Sequence, residues 1–136
     1  GTQGVAYAEY MVPNSIVTYY IICDAAAVRE VLGIGTMAAN YGYYDGTNNP
    51  VWTTIAPTAN ALMKIATSYS GTTVNAAANG VAAGNNPQAF DGDFNFSANF
   101  IIGNNPAGTA APFGTIRNVR IYPKALSTSR LQAMTQ

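Results

Sequence analysis

Apolar and polar residues alternate along this chain in short runs that rarely exceed nine residues, each closed by Gly, Asn, Asp or Pro. Such a rhythm predicts antiparallel strands with tight connections rather than helices. The first run is Val5 to Val12, stopped by Pro13-Asn14, and Ile16 to Cys23 follows. Asp24 to Leu32 is ambiguous, because Asp24 could cap a helix over the alanines. Lying between strands, it is read as a loop over Asp24–Ala27 and a strand over Arg29–Ile34. Met37–Tyr44 and Val51–Ile55 are the next expected strands, separated by Asp45-Gly46 and Asn48-Asn49-Pro50.

The clearest unit is Leu62–Tyr69, Thr73–Ala78 and Val81–Ala83. Ser70-Gly71 makes its first turn. Asn79-Gly80 makes the second, a pair that accepts positive φ at both central positions and so suits a two-residue type I′ hairpin. Phe94–Ile102 and Phe113–Tyr122 complete an expected set of about nine or ten strands. Pro123 ends the last strand because it has no N–H for a ladder. Ser127 is placed to cap one final helical turn carrying Leu131 and Met134 on one face. The pattern describes an all-β, antiparallel two-sheet sandwich with a short C-terminal helical turn.

Three linked segments carry a family resemblance. They are Lys64 to Gly80 with its Asn-Gly turn, Phe100-Ile-Ile-Gly-Asn104, and Phe113-Gly-Thr-Ile-Arg-Asn-Val-Arg-Ile-Tyr122 with Ala125-Leu-Ser and Leu131-Gln-Ala. Their order and spacing resemble the closing half of laminin-G-like, concanavalin A-type domains, especially those at the C-termini of bacteriophage structural proteins. The first half matches in strand rhythm alone, with Ala6-Tyr-Ala-Glu9 echoing the opening strand. The resemblance implies a jelly-roll-like sandwich. It also implies a virion module, decorating a capsid or tail fibre, with other virion proteins, copies of itself and host-surface glycan as partners. Its expected location is the virion, assembled in a bacterial cytoplasm.

Composition sharpens this picture. At 136 residues the chain is expected to be one domain over 1–136. Because it opens Gly1-Thr2-Gln3, it is expected to be the C-terminal piece of a longer protein. Charged residues make up 9% of it, against about a quarter in ordinary domains, so Asn, Thr, Ser, Gly and Ala must form most of the surface. A neutral surface of that kind associates readily. It equally suits an extracellular setting. No run of apolar residues is long enough to span a bilayer as a helix. Cys23 is the sole cysteine, set in an apolar run, and is read as a buried small hydrophobe.

Catalysis finds little to work with. Histidine is absent, which removes Ser-His-Asp and Cys-His arrangements and imidazole zinc ligands. The only glutamates, Glu9 and Glu30, stand in separate segments, whereas retaining glycosidases hold two carboxyls about 5–5.5 Å apart. No catalytic residue is therefore expected. Asp91-Gly-Asp93-Phe-Asn95 is the one local acidic cluster. Laminin-G-like domains often hold calcium at the sandwich rim, so Asp91, Asp93 and Asn95 are the candidate metal ligands; the competing reading is an ordinary Asp/Gly turn. No other cofactor is expected.

Four of the six basic residues, Arg117, Arg120, Lys124 and Arg130, fall in the last segment. Strict alternation sends Arg117 and Arg120 to opposite faces, which argues against a basic stripe for nucleic acid. The segment Tyr41 to Trp52 is the candidate sugar surface, since aromatic rings stack on sugar C–H faces while Asn and Asp bond hydroxyls. Tyr41 and Tyr43 should share one face, leaving Tyr44, Asp45, Asn48, Asn49 and Trp52 to line a rim. The alternative is that these aromatics fill a core poor in leucine. Two further functions stay open: an architectural subunit that binds no sugar, and the carbohydrate-binding module of a polysaccharide-degrading enzyme.

Overall fold

A computed structural model describes residues 2–11, 19–24, 30–34, 41–44, 52–91, 100–104, 107–108 and 114–136. Alternation builds two sheets. The larger takes β1 (Gln3–Met11), β5 (Leu62–Ser70), β6 (Thr73–Ala78), β7 (Val81–Ala82), β8 (Gln88–Ala89) and β10 (Thr115–Tyr122). Its order is β10-β1-β5-β6-β7, with β8 also pairing to β6. The smaller takes β2 (Tyr19–Asp24), β3 (Glu30–Ile34), β4 (Tyr41–Tyr44) and β9 (Phe100–Ile102), in the order β4-β3-β2-β9. Every pairing between these strands is antiparallel.

The core lies between the sheets. Ala6, Ala8 and Tyr10 of β1, Ile65 and Tyr69 of β5, and Val74 and Ala76 of β6 face Ile21, Ile22, Tyr41 and Tyr43 of the smaller sheet. Tyrosines and alanines together fill this layer, which holds no buried leucine among the described residues. The Tyr43 hydroxyl donates to the Ala89 carbonyl and so ties the smaller sheet to β8. Gly4 lies in register with Tyr69, whose ring occupies the space a Cβ at position 4 would need.

The outer face of the larger sheet carries a second, smaller core. Val5, Tyr7, Ala66 and Ala77 receive Leu131 of α1 (Thr128–Met134), which is fully buried. A seven-residue helix has little stability of its own and depends on this docking. Its end is latched to the β6–β7 hairpin: Gln132 Nε2 donates to the Gly80 carbonyl at 3.1 Å, and the Gly80 N–H donates to Thr135 Oγ1 at 3.0 Å. Ser127 occupies the N-cap position without a side-chain cap bond.

Most expected strands are present over their described residues, the remainder of those runs lying outside the described residues, and the hairpin at Asn79-Gly80 has the anticipated positive φ at both residues, 46° and 79°. The strand alternative over Arg29–Ile34 holds for residues 30–34. Two expectations need correction. Val51–Ile55 is not a strand over its described residues, 52–55. After Trp52 N–H donates to the Tyr41 carbonyl at 2.7 Å, Thr54 turns to φ 66°, and Thr53 bonds Asn85 and Gly84 rather than a ladder. Arg117 and Arg120 do not oppose each other. A bulge in β10 lets Arg117 pair with Glu9 and Arg120 with Tyr7, two same-face positions of β1. Asn118, at φ 50°, absorbs the extra residue.

Candidate ligand-binding site

The expected sugar rim is placed only in part. Tyr44 ends β4 opposite Glu30, while Asp45, Asn48 and Asn49 lie outside the described residues. Trp52 departs from the rim. It is 0% exposed, packs its ring 5.5 Å from that of Tyr43, and belongs to the main core. With no open face it has nothing to stack on a sugar, so the core reading applies to Trp52 as it does to Tyr41 and Tyr43. Burial costs these aromatics some hydrogen bonding: among the described residues, Tyr41 Oη and Trp52 Nε1 have no hydrogen-bond partner. Desolvation, with the nearby Tyr10 hydroxyl, pushes the Tyr41 phenol well above its ordinary pKa.

Of the calcium candidates, Asp91 is described and exposed, and Asp93 and Asn95 lie outside the described residues. Among the described residues no three Asp, Glu, Cys or His side chains gather as a metal cluster. Cys23 is buried and unbridged, as its apolar run suggested.

Alternation alone did not reveal a polar cluster on the outer face of the larger sheet. Glu9 accepts a hydrogen bond from Tyr7 Oη at 3.1 Å and pairs with Arg117 Nε at 2.6 Å. Asn118, the bulge residue, and Arg117 bond the carboxylate and hold its pKa down at about 2. Burial, followed by the bond to Glu9, pushes the Tyr7 phenol up. Arg120 sits 5.7 Å over the Tyr7 ring, a cation–π contact. The signal for this cluster was Asn118 itself, an αL-tolerant residue inside an otherwise alternating strand.

Glu9 is thereby held by Tyr7, Arg117 and Asn118. Its face of the larger sheet points away from the smaller sheet.

Matching by family places the fold. A family model, Laminin_G_3, described as the concanavalin A-like lectin/glucanases superfamily, matches residues 28–132, and the chain belongs to that superfamily. Among solved structures it is similar to a native heptameric SAP-like pentraxin from Limulus polyphemus, at TM-score 0.73 and 15% identity over 99% of this chain and 70% of that one. It is similar to Trypanosoma rangeli sialidase at TM-score 0.70 and 12% identity, covering 98% of this chain but 22% of the sialidase. It is also similar to domain 4 of a GH43 extracellular arabinanase from Geobacillus stearothermophilus, at TM-score 0.66 and 20% identity over 99% of this chain and 67% of that one. A search of curated protein sequences found no match. At such identities the likeness to solved structures establishes the fold, a concanavalin A-like sandwich with lectin-like relatives.

Proposed function

We propose that this domain is a non-enzymatic structural and adhesion module of a phage virion, decorating a capsid or tail fibre and holding host-surface carbohydrate. The observation that carries the carbohydrate reading is membership of the lectin/glucanase superfamily over residues 28–132, in a sandwich whose Glu9 is committed to Arg117 and Tyr7. The arabinanase domain 4, solved in complex with arabinotriose, lends the same reading support. In this reading Tyr44, Asp45, Asn48 and Asn49 supply the sugar contacts. The virion setting rests on the closing segment's resemblance and on the charge-poor surface. Assembly in a reducing cytoplasm suits an unbridged, buried Cys23. Calcium at Asp91, Asp93 and Asn95 is an accessory to sugar binding in this reading, not a catalytic group.

Affinity electrophoresis through gels containing bacterial cell-surface polysaccharides tests it, alongside assay of released reducing ends. Retarded migration without reducing-end release is the expected result, and Tyr44→Ala or Asp45→Ala should restore free migration. Release of reducing ends would overturn the non-enzymatic reading; free migration of wild-type protein in every gel would favour the purely architectural subunit. The heptameric state of the pentraxin relative gives that second reading its specific support.

A further inference from the structure

The chain leaves β10 at Pro123, crosses the outer face of the larger sheet and enters α1, and this crossing borders an open groove of about 620 Å³. That volume lies within the range of small-molecule sites, about 300–1,000 Å³. Leu126 and Met134 are half-buried and, with Pro123 and Ala133, give the groove an aliphatic lining. Tyr122, Lys124 and Arg130 supply its polar groups, and all three are exposed. The wall is braced. Ser68 Oγ donates to the Leu126 carbonyl at 2.9 Å and accepts from the Leu126 N–H at 2.9 Å. The buried Leu131 holds the helix side in place.

The chemistry of this groove is one-sided. No lining residue is acidic, and among the described residues neither Lys124 nor Arg130 has an ion-pair partner. Arg120, two residues before Tyr122 on β10, lies on the same face by regular alternation and stands over the Tyr7 ring. Ammonium and guanidinium groups only donate hydrogen bonds, so the rim calls for an acceptor with negative charge. A neutral sugar would set hydroxyls against an aliphatic lining that can bond none of them. An apolar body ending in an anion satisfies both parts.

We propose that the groove between β10 and α1 binds a small amphiphilic carboxylate, its aliphatic or aromatic body against Leu126 and Met134 and its carboxylate at Lys124 and Arg130. The groove lining includes none of the residues assigned to the glycan rim. Isothermal titration of the intact domain with octanoate, decanoate, octylammonium and octyl glucoside, all kept below micelle formation, tests the proposal. Burying each added methylene should tighten binding about fourfold, so decanoate should exceed octanoate by roughly fifteenfold. Replacing both exposed cations in the double variant Lys124→Gln/Arg130→Gln should weaken decanoate about tenfold and flatten its salt dependence. Ala133→Trp, an exposed helix position, should block the groove while leaving circular dichroism unchanged. Octylammonium or octyl glucoside binding as tightly as octanoate would overturn the proposal. So would absence of decanoate binding at millimolar concentration, or a double variant that binds like wild type.

Discussion

Replacing Trp52 by alanine separates a structural core from a sugar platform. The side chain is fully buried against Tyr43 and the facing sheet. A buried Trp withdraws about 150–250 Å² from water, worth roughly 4–6 kcal/mol at 25 cal/mol per Å². Its Nε1, without a partner among the described residues, offsets about 1–3 kcal/mol of that, since an unsatisfied buried donor carries a desolvation penalty. The net loss for Trp52→Ala should be about 3 kcal/mol, at the low end of measured Trp truncations. For 136 residues each kcal/mol moves the thermal midpoint by about 3–4 °C, so the midpoint should fall by roughly 10 °C. Trp52→Phe keeps most of the ring and deletes the orphaned donor, and should stay within about 4 °C of wild type. Differential scanning calorimetry of the three proteins reads both numbers. An alanine variant melting with wild type, and losing only glycan retention, would refute the core assignment.

Three further outcomes follow from the outer face and the strand register. Glu9 has its pKa held at about 2, below the ordinary 4.5, so it contributes stability above pH 4.5 that is lost as pH falls toward 2. Urea unfolding at pH 6, 4 and 3 should show Glu9→Gln losing less stability on acidification than wild type; parallel losses would sink the assignment. Gly4→Ala would set a Cβ 2.5 Å from Tyr69 Oη and 2.8 Å from the Tyr122 carbonyl oxygen, and should cost about 1–3 kcal/mol in chemical denaturation. An unchanged midpoint would show that Tyr69 does not cover that glycine. Leu131→Ala should cost about 2–5 kcal/mol and remove the hydrogen-exchange protection of Thr135, whereas retained protection would mean the helix does not depend on its leucine.

Much of the sandwich is legible because its strands alternate and its turns use residues with a single conformational purpose. Asn79-Gly80 sits where the type I′ geometry places it, and Pro123 follows β10 immediately. The failures have local causes. Alternation predicts a face only while pairing is regular, and the bulge at Asn118 moves Arg117 onto the face of Arg120. Val51–Ile55 looks strand-like by propensity, but its threonines are taken by Asn85 and the Ala82 carbonyl, partners that no local pattern announces. β8, two residues long, offers too short a run to detect. Trp52 misled for a different reason. An aromatic beside Asn and Pro suits a sugar rim and a core equally, and only the pairing of Trp52 N–H with the Tyr41 carbonyl turns it inward.

The central claim, a carbohydrate-binding sandwich without catalysis, is tested most directly on a glycan array probed with and without calcium. The account predicts retention on at least one bacterial-surface glycan, lost in Tyr44→Ala and Asp45→Ala. Saturating decanoate should leave that retention unchanged, because the groove lining includes none of the rim residues. Dependence on calcium would add Asp91, Asp93 and Asn95 to the site, and independence would leave the aromatic rim alone. A folded sample that binds no glycan under either condition would contradict the account.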